Sequence, residues 1–367
     1  MALAELIDVA SLVQPFGGEN PAGNEIREDV SPKSPYQMIK SARQGARAAE
    51  RNSLFDESSN EAVDHWHKVL NLAPDILSGQ SKDLEVASWY TEALVRIHGF
   101  SGLRCGFELI AQLIDGFWDN LYPQPDEDGV ATRVAPLAGL NGEGAEGVLI
   151  APIRNVPITQ GNPPGPFSLW QYQQARDVQK ISDENARAEK AAKVGFLVED
   201  INNAVNESSE AFYVDLRDEI KTCIDIYQKI SRSLTERCGT HDAPPTGNIT
   251  SALDECLSTI NHIAGHKFPV EESKDEENEA TENEGGAATT TAAKGPIASR
   301  EQAFKQLRTI AHFFRQTEPH SPISYVLDKA VQWGGMSLNE LILELIPDAA
   351  SREHYSILTG VRVDDNN

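Results

Sequence analysis

The chain has 367 residues, 40% of them hydrophobic, and a formal net charge of −24. This length is sufficient for two or three domains, each with its own core. The negative charge argues against binding to nucleic acid and against docking on anionic membranes, because both depend on clustered lysine and arginine. No uncharged apolar run approaches the ~20 residues that span a bilayer, so we expect no direct membrane insertion.

The N-terminal segment and the cysteines predict a cytoplasmic protein. The opening, MALAELIDVASLVQPF, contains two acidic residues and no basic one, which is typical of an amphipathic helix and not of a secretory signal. The cysteines form no CxxC pair, so we predict reduced thiols and neither a zinc site nor a disulfide framework. They are Cys105, Cys223, Cys238 and Cys256.

Residues 1–165 predict an irregular helical domain with loops rich in glycine and proline. Apolar residues recur at helical spacing in residues 60–77 and again after the SKDL sequence at 81–84. Ser81 is a candidate N-cap for the second of these helices, and Gly99 is placed to end it. A further helix is predicted to end before Pro123.

Residues 166–268 predict a second helical region, built from antiparallel hairpins. Apolar residues occur there at every third or fourth position, and Gly239 and the Pro244–Pro245 pair separate the last two helices. No strand-like alternation persists in the sequence. We therefore predict an all-α fold.

Residues 269–297 predict a disordered acidic linker. Residues 271–284 contain eight acidic residues and one lysine, and no large apolar side chain. Such a segment buries too little surface to offset the entropy of its chain. A nucleic-acid mimic or a calcium-binding segment is the alternative interpretation.

Residues 298–367 predict a small helical domain. Ser299 with Gln302, and Ser337 with Glu340, have the spacing of capping boxes. The helix between these two boxes is predicted to end at Gly334–Gly335 and to face inward with Ile323, Val326, Leu327, Ala330 and Val331.

The segment Glu318–Pro322 could suggest catalysis, because it places His320 beside Ser321. A nucleophilic serine needs a base that can reach it and an oxyanion site, and adjacent side chains rarely meet productively. No GxSxG sequence is present. The segment is better explained as a helix joint: Pro319 ends one helix, and Ser321 caps the next, with Pro322 in its first turn.

Three other candidate sites are also better explained structurally. His65 and His67 are two apart on a predicted helix and point to different sides, which disfavours a metal site. A calcium loop that starts at Asp126 would have Leu137 at its twelfth position, where glutamate is required. Residues 17–24, GGENPAGN, lack the lysine of a phosphate loop, which leaves a structural loop or a docking point for a partner. We expect no catalytic residue, metal or cofactor.

The C-terminal sequence SREQAFKQLRTIAHFFRQTEPHSPISYVLDKAVQW, followed by LNELILELI, resembles the TssA (ImpA-type) proteins of bacterial type VI secretion systems. The SKDL turn and the WDNLYPQPDED run, with an arginine after it, resemble the ImpA N-terminal domain. The positions that carry the resemblance are Trp66, Ser81, Lys82, Asp83, Leu84, Trp118, Asp119, Tyr122, Pro123, Arg133, Glu318, Pro319, His320, Ser321 and Pro322.

The resemblance implies a non-enzymatic assembly factor of a contractile injection machine. Such proteins form homo-oligomeric rings through their C-terminal domains, associate with the baseplate and membrane complex at the inner face of the envelope, and help to prime the tube and sheath. The length resembles the short, baseplate-side class. Three alternatives stay open: a cap at the distal end of the sheath, a helical adaptor outside secretion, and a hydrolase hidden in the N-terminal domain.

A small helical domain cannot cover all of its own apolar faces, so we predict an intersubunit surface within residues 298–367. The alternative is that the same side chains form the core of the domain. The predicted interface residues are Tyr325, Trp333, Leu338, Leu341, Ile342 and Leu345.

Overall fold

The computed structural model describes residues 6–52, 60–127, 129–268, 300–317, 322–336, 338–346, 348 and 351–352. Within these ranges the chain forms fourteen α-helices, one 3₁₀ helix and no strand, which confirms the all-α prediction. The helices are α1 (Val9–Leu12), α2 (Pro35–Asn52), α3 (Glu61–Gly79), α4 (Leu84–Phe117), α5 (Val130–Asn141), α6 (Ile150–Asn155), α7 (Leu169–Gln179), α8 (Glu184–Val194), α9 (Val198–Glu207), α10 (Glu210–Asp242), α11 (Gly247–Ile263), the 3₁₀ helix Gly265–Lys267, α12 (Arg300–Thr317), α13 (Ile323–Gly335) and α14 (Leu338–Leu345).

The chain divides into two compact units, unit 1 (Met1–Lys274) and unit 2 (Asp275–Asn367). The buried side chains of unit 1 form one hydrophobic core that extends from Val9 to Ala264. The boundary predicted between residues 165 and 166 therefore falls inside unit 1. The predicted acidic linker lies outside the described residues, and the predicted domain limits stay predictions.

Helix α4 forms the centre of unit 1. Its sequence is apolar on every side, and it packs against α3, α5 and α10. Gly99 interrupts α4 as the sequence predicts: its φ of 60° and ψ of −141° are non-helical, and a second helical stretch follows this kink and runs to Phe117. One detail differs from the sequence-based expectation. The N-cap is Asp83 and not Ser81, because Ser81 lies in an extended segment that pairs with Gly23.

Helix α10 packs along α4 and joins the first and second predicted regions. Arg104 on α4 donates from Nε to Glu219 Oε2 on α10 at 2.7 Å, and Ser101 Oγ donates to the other carboxylate oxygen at 3.0 Å. Arg104 and Glu219 are both buried. A charged network of this kind favours a fixed register of the two helices, because separating them would leave the buried Glu219 without its cation, whereas Arg104 also pairs with Glu108 at 2.9 Å.

Unit 2 contains the pair α12 and α13, followed by α14. Gly334 allows the pair to approach closely, because a Cβ at that position would lie 2.1 Å from Phe304 Cζ. The predicted inward face of α13 is correct at Val331, which is buried, and Leu327 and Ala330 are half-buried. It is wrong at Ile323 and Val326, which are 42% and 61% exposed, and the buried Ser324 was not predicted. The Ser299 and Ser337 caps lie outside the described residues.

No helix in the described part of the chain is both long enough and apolar enough to cross a bilayer. The four cysteines are free thiols, and three of them are buried.

Candidate functional site

Three of the sequence segments singled out above meet beside the first turn of α4. The backbone of Lys82 donates to Ala22 O at 2.8 Å and accepts from Tyr122 N at 3.0 Å. Bridges of strand type pair Gly23 with Ser81 and Asp83 with Tyr122. The glycine-proline loop, the SKDL turn and the end of the WDNLYP run therefore form one structure, which we call the SKDL junction (residues 20–27, 81–85 and 121–123).

Lys82 is fully buried in the SKDL junction. Its Nζ donates to Leu12 O at 2.7 Å and to Leu77 O at 2.6 Å, and it lies 4.2 Å from the centre of the Phe16 ring. Burial lowers the pKa of Lys82 to about 8, because the apolar surroundings disfavour the charged amine. The lysine connects the end of α1 to the last turn of α3, which is a structural role.

Asp83 is also fully buried, and its carboxylate has two sets of donors. Oδ1 accepts from the backbone N–H groups of Glu85 and Val86, at 2.8 and 3.0 Å, which caps α4. Arg27 donates to Oδ2 at 2.6 Å and to Oδ1 at 3.2 Å. Burial raises the pKa of Asp83, and the Arg27 guanidinium opposes that rise.

Sequence reasoning missed Arg27. This arginine also donates to Glu85 Oε2 at 2.8 Å, which in turn accepts from the Tyr36 hydroxyl at 2.9 Å. The available signal was a single arginine inside an acidic strip, NEIRED, which suggests a paired cation. Its partner could not be identified, because Asp83 lies 56 positions away.

The loop before α2 is held by its own polar groups. Asn20 Nδ2 donates to Gly23 O at 2.8 Å and to Tyr122 Oη at 3.2 Å. Gly23 has a φ of 82°, and a Cβ there would lie 2.2 Å from Gln80 O, so only glycine fits. These contacts account for the GGENPAGN sequence without a phosphate ligand.

Arg133 fixes α5 to the segment that follows α4. It is buried, donates to Trp118 O at 2.6 Å and to Pro123 O at 3.3 Å, and stacks on the Trp118 ring at 5.3 Å. Burial lowers the pKa of Arg133. Asp119 is exposed, so it belongs to the surface of this segment.

Trp66 lies apart from the SKDL junction, in the packing of α3 against α4. It is 1% exposed, its Nε1 donates to Glu50 Oε1 at 2.7 Å, and Arg96 stacks on its ring at 4.3 Å. Nearby, Arg43 donates to Glu92 Oε1 at 2.8 Å. The tryptophan is part of the core, as a helical apolar position predicts.

A cavity of about 450 Å³ opens beside the SKDL junction, between α2, α4 and α5. Its two carboxylates, Glu85 and Glu92, accept hydrogen bonds from Arg27 and Arg43. Arginine side chains thus engage both carboxylates of the cavity, an arrangement that suits binding. Among the described residues, no group of three His, Cys, Asp or Glu side chains is placed to hold a metal ion. His65 is half-buried and His67 is exposed, on different sides of α3.

The predicted interface residues of unit 2 fall into different environments. Tyr325 and Leu345 are 63% and 51% exposed. Trp333 and Leu341 are half-buried. Ile342 is 5% exposed, which favours the alternative that it is a core residue of unit 2. The interface itself stays a prediction.

The remaining predicted positions of unit 2 lie close to the α12–α13 connection and to the start of α14. Pro322 occupies the N-cap position of α13, one residue earlier than the expected first turn. The side chain of Leu338, and residues Glu318, Pro319, His320 and Ser321, lie outside the described residues.

The class of protein to which unit 1 corresponds is identified by its sequence around the SKDL junction. Residues 13–142 match the family model of the ImpA N-terminal domain of the type VI secretion system. The match includes the whole SKDL junction, with Arg27, Lys82, Asp83, Tyr122 and Arg133. Unit 1 therefore contains an ImpA N-terminal domain.

Two comparisons extend this assignment along the chain. The chain is 25% identical to the type VI secretion system component TssA1 of Pseudomonas aeruginosa, over 95% of its own length and 97% of that protein. It also matches the solved N-terminal domain, including the conserved ImpA_N region, of the TssA component from Burkholderia cenocepacia. That match has a TM-score of 0.59 and 25% identity, and covers 72% of this chain and 96% of that one. Over almost its whole length the chain is therefore similar to a TssA component of the type VI secretion system.

Proposed function

We propose that this chain is a non-enzymatic assembly component that forms a homo-oligomeric ring through unit 2. In this proposal the ring associates with the type VI baseplate and helps to prime growth of the tube and the contractile sheath. The protein would work in the bacterial cytoplasm and be recruited to the inner face of the envelope. Its partners would be further copies of itself and proteins of the baseplate, tube, sheath and membrane complex.

The observation that carries the proposal is the exposed apolar surface of unit 2. Tyr325 and Val326, adjacent in the first turn of α13, are 63% and 61% exposed. Leu345 on α14 is 51% exposed and Ile310 on α12 is 44% exposed. All three helices thus contribute apolar side chains to the surface, and clustered apolar surface favours association.

Association between copies of unit 2 explains how a ring could arise. When one face contacts a different face of the next copy, the assembly closes into a ring if the rotation between copies is a fraction of a full turn. A ring would hold many copies of unit 1 together. Such an array raises the effective concentration of unit 1 at the repeated sites of a symmetric baseplate.

The charged groups of the SKDL junction and the neighbouring Arg133 support a non-enzymatic role. Lys82, Asp83 and Arg133 each form hydrogen bonds that position backbone segments. The known relatives are named as components of a secretion system. Both observations favour a structural role.

The test measures the mass of the full chain by mass photometry. We expect wild type to be an oligomer and the double variant Tyr325→Ser, Val326→Ser to shift towards monomer. Val30→Ser is the matched control, because Val30 is 79% exposed in unit 1 and removal of its apolar side chain should not change the mass. A monomeric wild type would contradict the ring.

The second part of the test follows a fluorescent sheath protein in cells that lack this chain. Cells complemented with wild type or Val30→Ser should assemble sheaths, and the double variant should assemble few. The tagged chain should form foci with a baseplate protein before the sheath elongates. Foci that follow only the distal end of the sheath would contradict the baseplate role.

A further inference from the structure

The cavity between α2, α4 and α5 has apolar walls and lies wholly within unit 1. Its volume of about 450 Å³ is large enough for a bulky side chain and the adjoining backbone of a peptide. The apolar part of its lining comes from Trp89, Pro123, Ala135, Pro136, Leu140 and Val148.

A basic stripe on α2 borders the cavity. Tyr36, Lys40, Arg43 and Arg47 are spaced by four, three and four residues, which places them on one face of the helix. Tyr36 and Arg43 line the cavity itself. Lys40 and Arg47 form no ion pair with any other residue that the structure describes. An otherwise acidic chain therefore presents two uncompensated cations at the edge of an apolar cavity.

Arg47 is in an environment that favours an additional anion. Its pKa is lowered, chiefly because it is partly buried, and the charges of Arg43 and Arg96 add to that effect while Glu92 opposes it. Since Arg47 has no ion-pair partner in contact, an anion placed beside it would add to the partial compensation that Glu92 provides.

Two buried polar atoms belong to residues that line the cavity. Ser88 and Glu92 are 2% and 0% exposed. Ser88 Oγ makes no hydrogen bond within the described part of the chain. Glu92 Oε2 makes none there either, although it lies 3.9 Å from Arg96 Nη1 in an ion pair. Unsatisfied buried polar atoms are unfavourable, so a ligand with hydrogen-bond donors, such as a peptide backbone, would stabilise them.

We propose that the cavity and the basic stripe together bind an acidic peptide segment of a partner protein. One large apolar side chain of the peptide enters the cavity and packs against Trp89 and Leu140. Acidic side chains on either side of it pair with Lys40 and Arg47. The inference rests on the proposed function in one respect, since it names the surface through which unit 1 meets a partner.

Charge and shape favour a peptide over the other polyanions. A nucleic acid or a lipid surface requires an extended basic area, and the formal charge of −24 opposes both. A short acidic peptide needs only the local stripe, and its apolar side chain uses the walls of the cavity.

Gly139 offers a way to fill the cavity without disturbing the fold. It lies on α5, lines the cavity, and a Cβ at that position meets no atom within 4 Å. Gly139→Leu therefore places a side chain in open space, and leucine is favoured over glycine in a helix. Gly116→Leu is the matched control, because Gly116 is helical and equally open but does not line the cavity.

Arg47→Gln removes the uncompensated charge, and Arg187→Gln is its control. Arg187 is exposed on α8, so the control changes the net charge by the same amount at a distant surface.

The experiment selects dodecapeptides from a random display library on the full-length protein, then measures the enriched peptides, labelled with fluorescein, by anisotropy. We expect enrichment of aspartate and glutamate around one large apolar residue. Gly139→Leu should weaken binding at least tenfold and Arg47→Gln about fivefold, with both controls within twofold of wild type. Replacing the apolar residue of the peptide by serine should weaken binding as Gly139→Leu does.

Several outcomes would overturn the proposal. The first is a library selection that enriches no peptide, or that enriches basic peptides. The second is peptide binding that Gly139→Leu leaves unchanged. The third is tighter binding to duplex DNA or to phosphatidylglycerol vesicles than to the peptide. The four variants should keep the wild-type mass, and Tyr325→Ser, Val326→Ser should keep peptide binding. Failure of the ring and failure of the peptide site are therefore distinguishable.

Discussion

Arg27 holds Asp83 through both terminal nitrogens of its guanidinium, at 2.6 and 3.2 Å, across 56 positions of sequence. Asp83 is fully buried and also caps α4. One carboxylate therefore determines where the central helix begins and how the loop before α2 approaches it. The recognisable SKDL sequence is explained by these contacts, and no ligand needs to be invoked for it.

Removing the carboxylate of Asp83 should strongly destabilise unit 1. Asp83→Ala leaves the Arg27 guanidinium without its most buried partner and removes the cap of α4, and we expect a loss of about 3–5 kcal/mol in the free energy of unfolding. Urea unfolding followed by circular dichroism measures it. Glu85→Gln is the control, because Glu85 pairs with the same arginine but is partly exposed, and it should lose about 1 kcal/mol. Equal losses in the two variants would argue against the buried pair.

Lys82 should make the stability of the chain depend on pH in the alkaline range. Its pKa is about 8 in the folded protein and 10.5 without burial, so between these values the unfolded state binds more protons. The contribution of Lys82 to the free energy of unfolding therefore rises as the pH rises from 8 towards 10.5. We expect the difference in unfolding free energy between wild type and Lys82→Met to shift in favour of wild type by about 2 kcal/mol from pH 7.5 to pH 10.

The comparison with Lys82→Met cancels the contributions of other groups that titrate in this range, such as the buried tyrosines. Lys68→Met, which removes an exposed lysine of α3, should show no such shift relative to wild type. A constant difference between wild type and Lys82→Met across the range would show that the amine has the same pKa in the folded and unfolded states, as a solvated lysine does.

Breaking the charged network between α4 and α10 should destabilise all of unit 1. Glu219→Ala leaves Arg104 buried without its closest partner, and we expect a loss of about 3–5 kcal/mol in a single cooperative urea transition. Glu236→Ala, an exposed position on the same helix, is expected to change stability by less than about 0.5 kcal/mol. Two separate transitions would instead indicate that residues 1–165 and 166–268 unfold as independent domains.

The close approach of α12 and α13 should make Gly334 intolerant of a side chain. Gly334→Ala places a methyl group against the Phe304 ring, and we expect a loss of about 1–3 kcal/mol, measured by hydrogen exchange at the amides of these helices. Adding Phe304→Leu should recover part of the loss, because the smaller side chain leaves room for the methyl group. If amide exchange is faster in Gly334→Ala and adding Phe304→Leu does not slow it, the destabilisation does not come from contact between the methyl group and the Phe304 ring.

The sequence predicted the elements whose signals are local. Apolar periodicity located the helices of both units, and Gly334–Gly335 correctly marked the end of α13. Gly99 correctly marked a break, since its positive φ of 60° interrupts α4 before the helix resumes. The inward face of α13 was predicted correctly at Val331 and wrongly at Ile323 and Val326, because several apolar stripes were available and the packing against α12 selected the one that contains Ser324 and Val331.

The sequence by itself determined the all-α class, the resemblance to the TssA proteins, and the positions of the SKDL, WDNLYP and GGENPAGN segments. Only the tertiary structure decided that these segments meet, that Arg27 is the partner of Asp83, and that an apolar cavity lies beside uncompensated cations on α2. Helix periodicity and capping act over a few residues and can be read from neighbours in the chain. Ion pairs and cavities join residues far apart in sequence, and their partners are fixed only when the whole core packs.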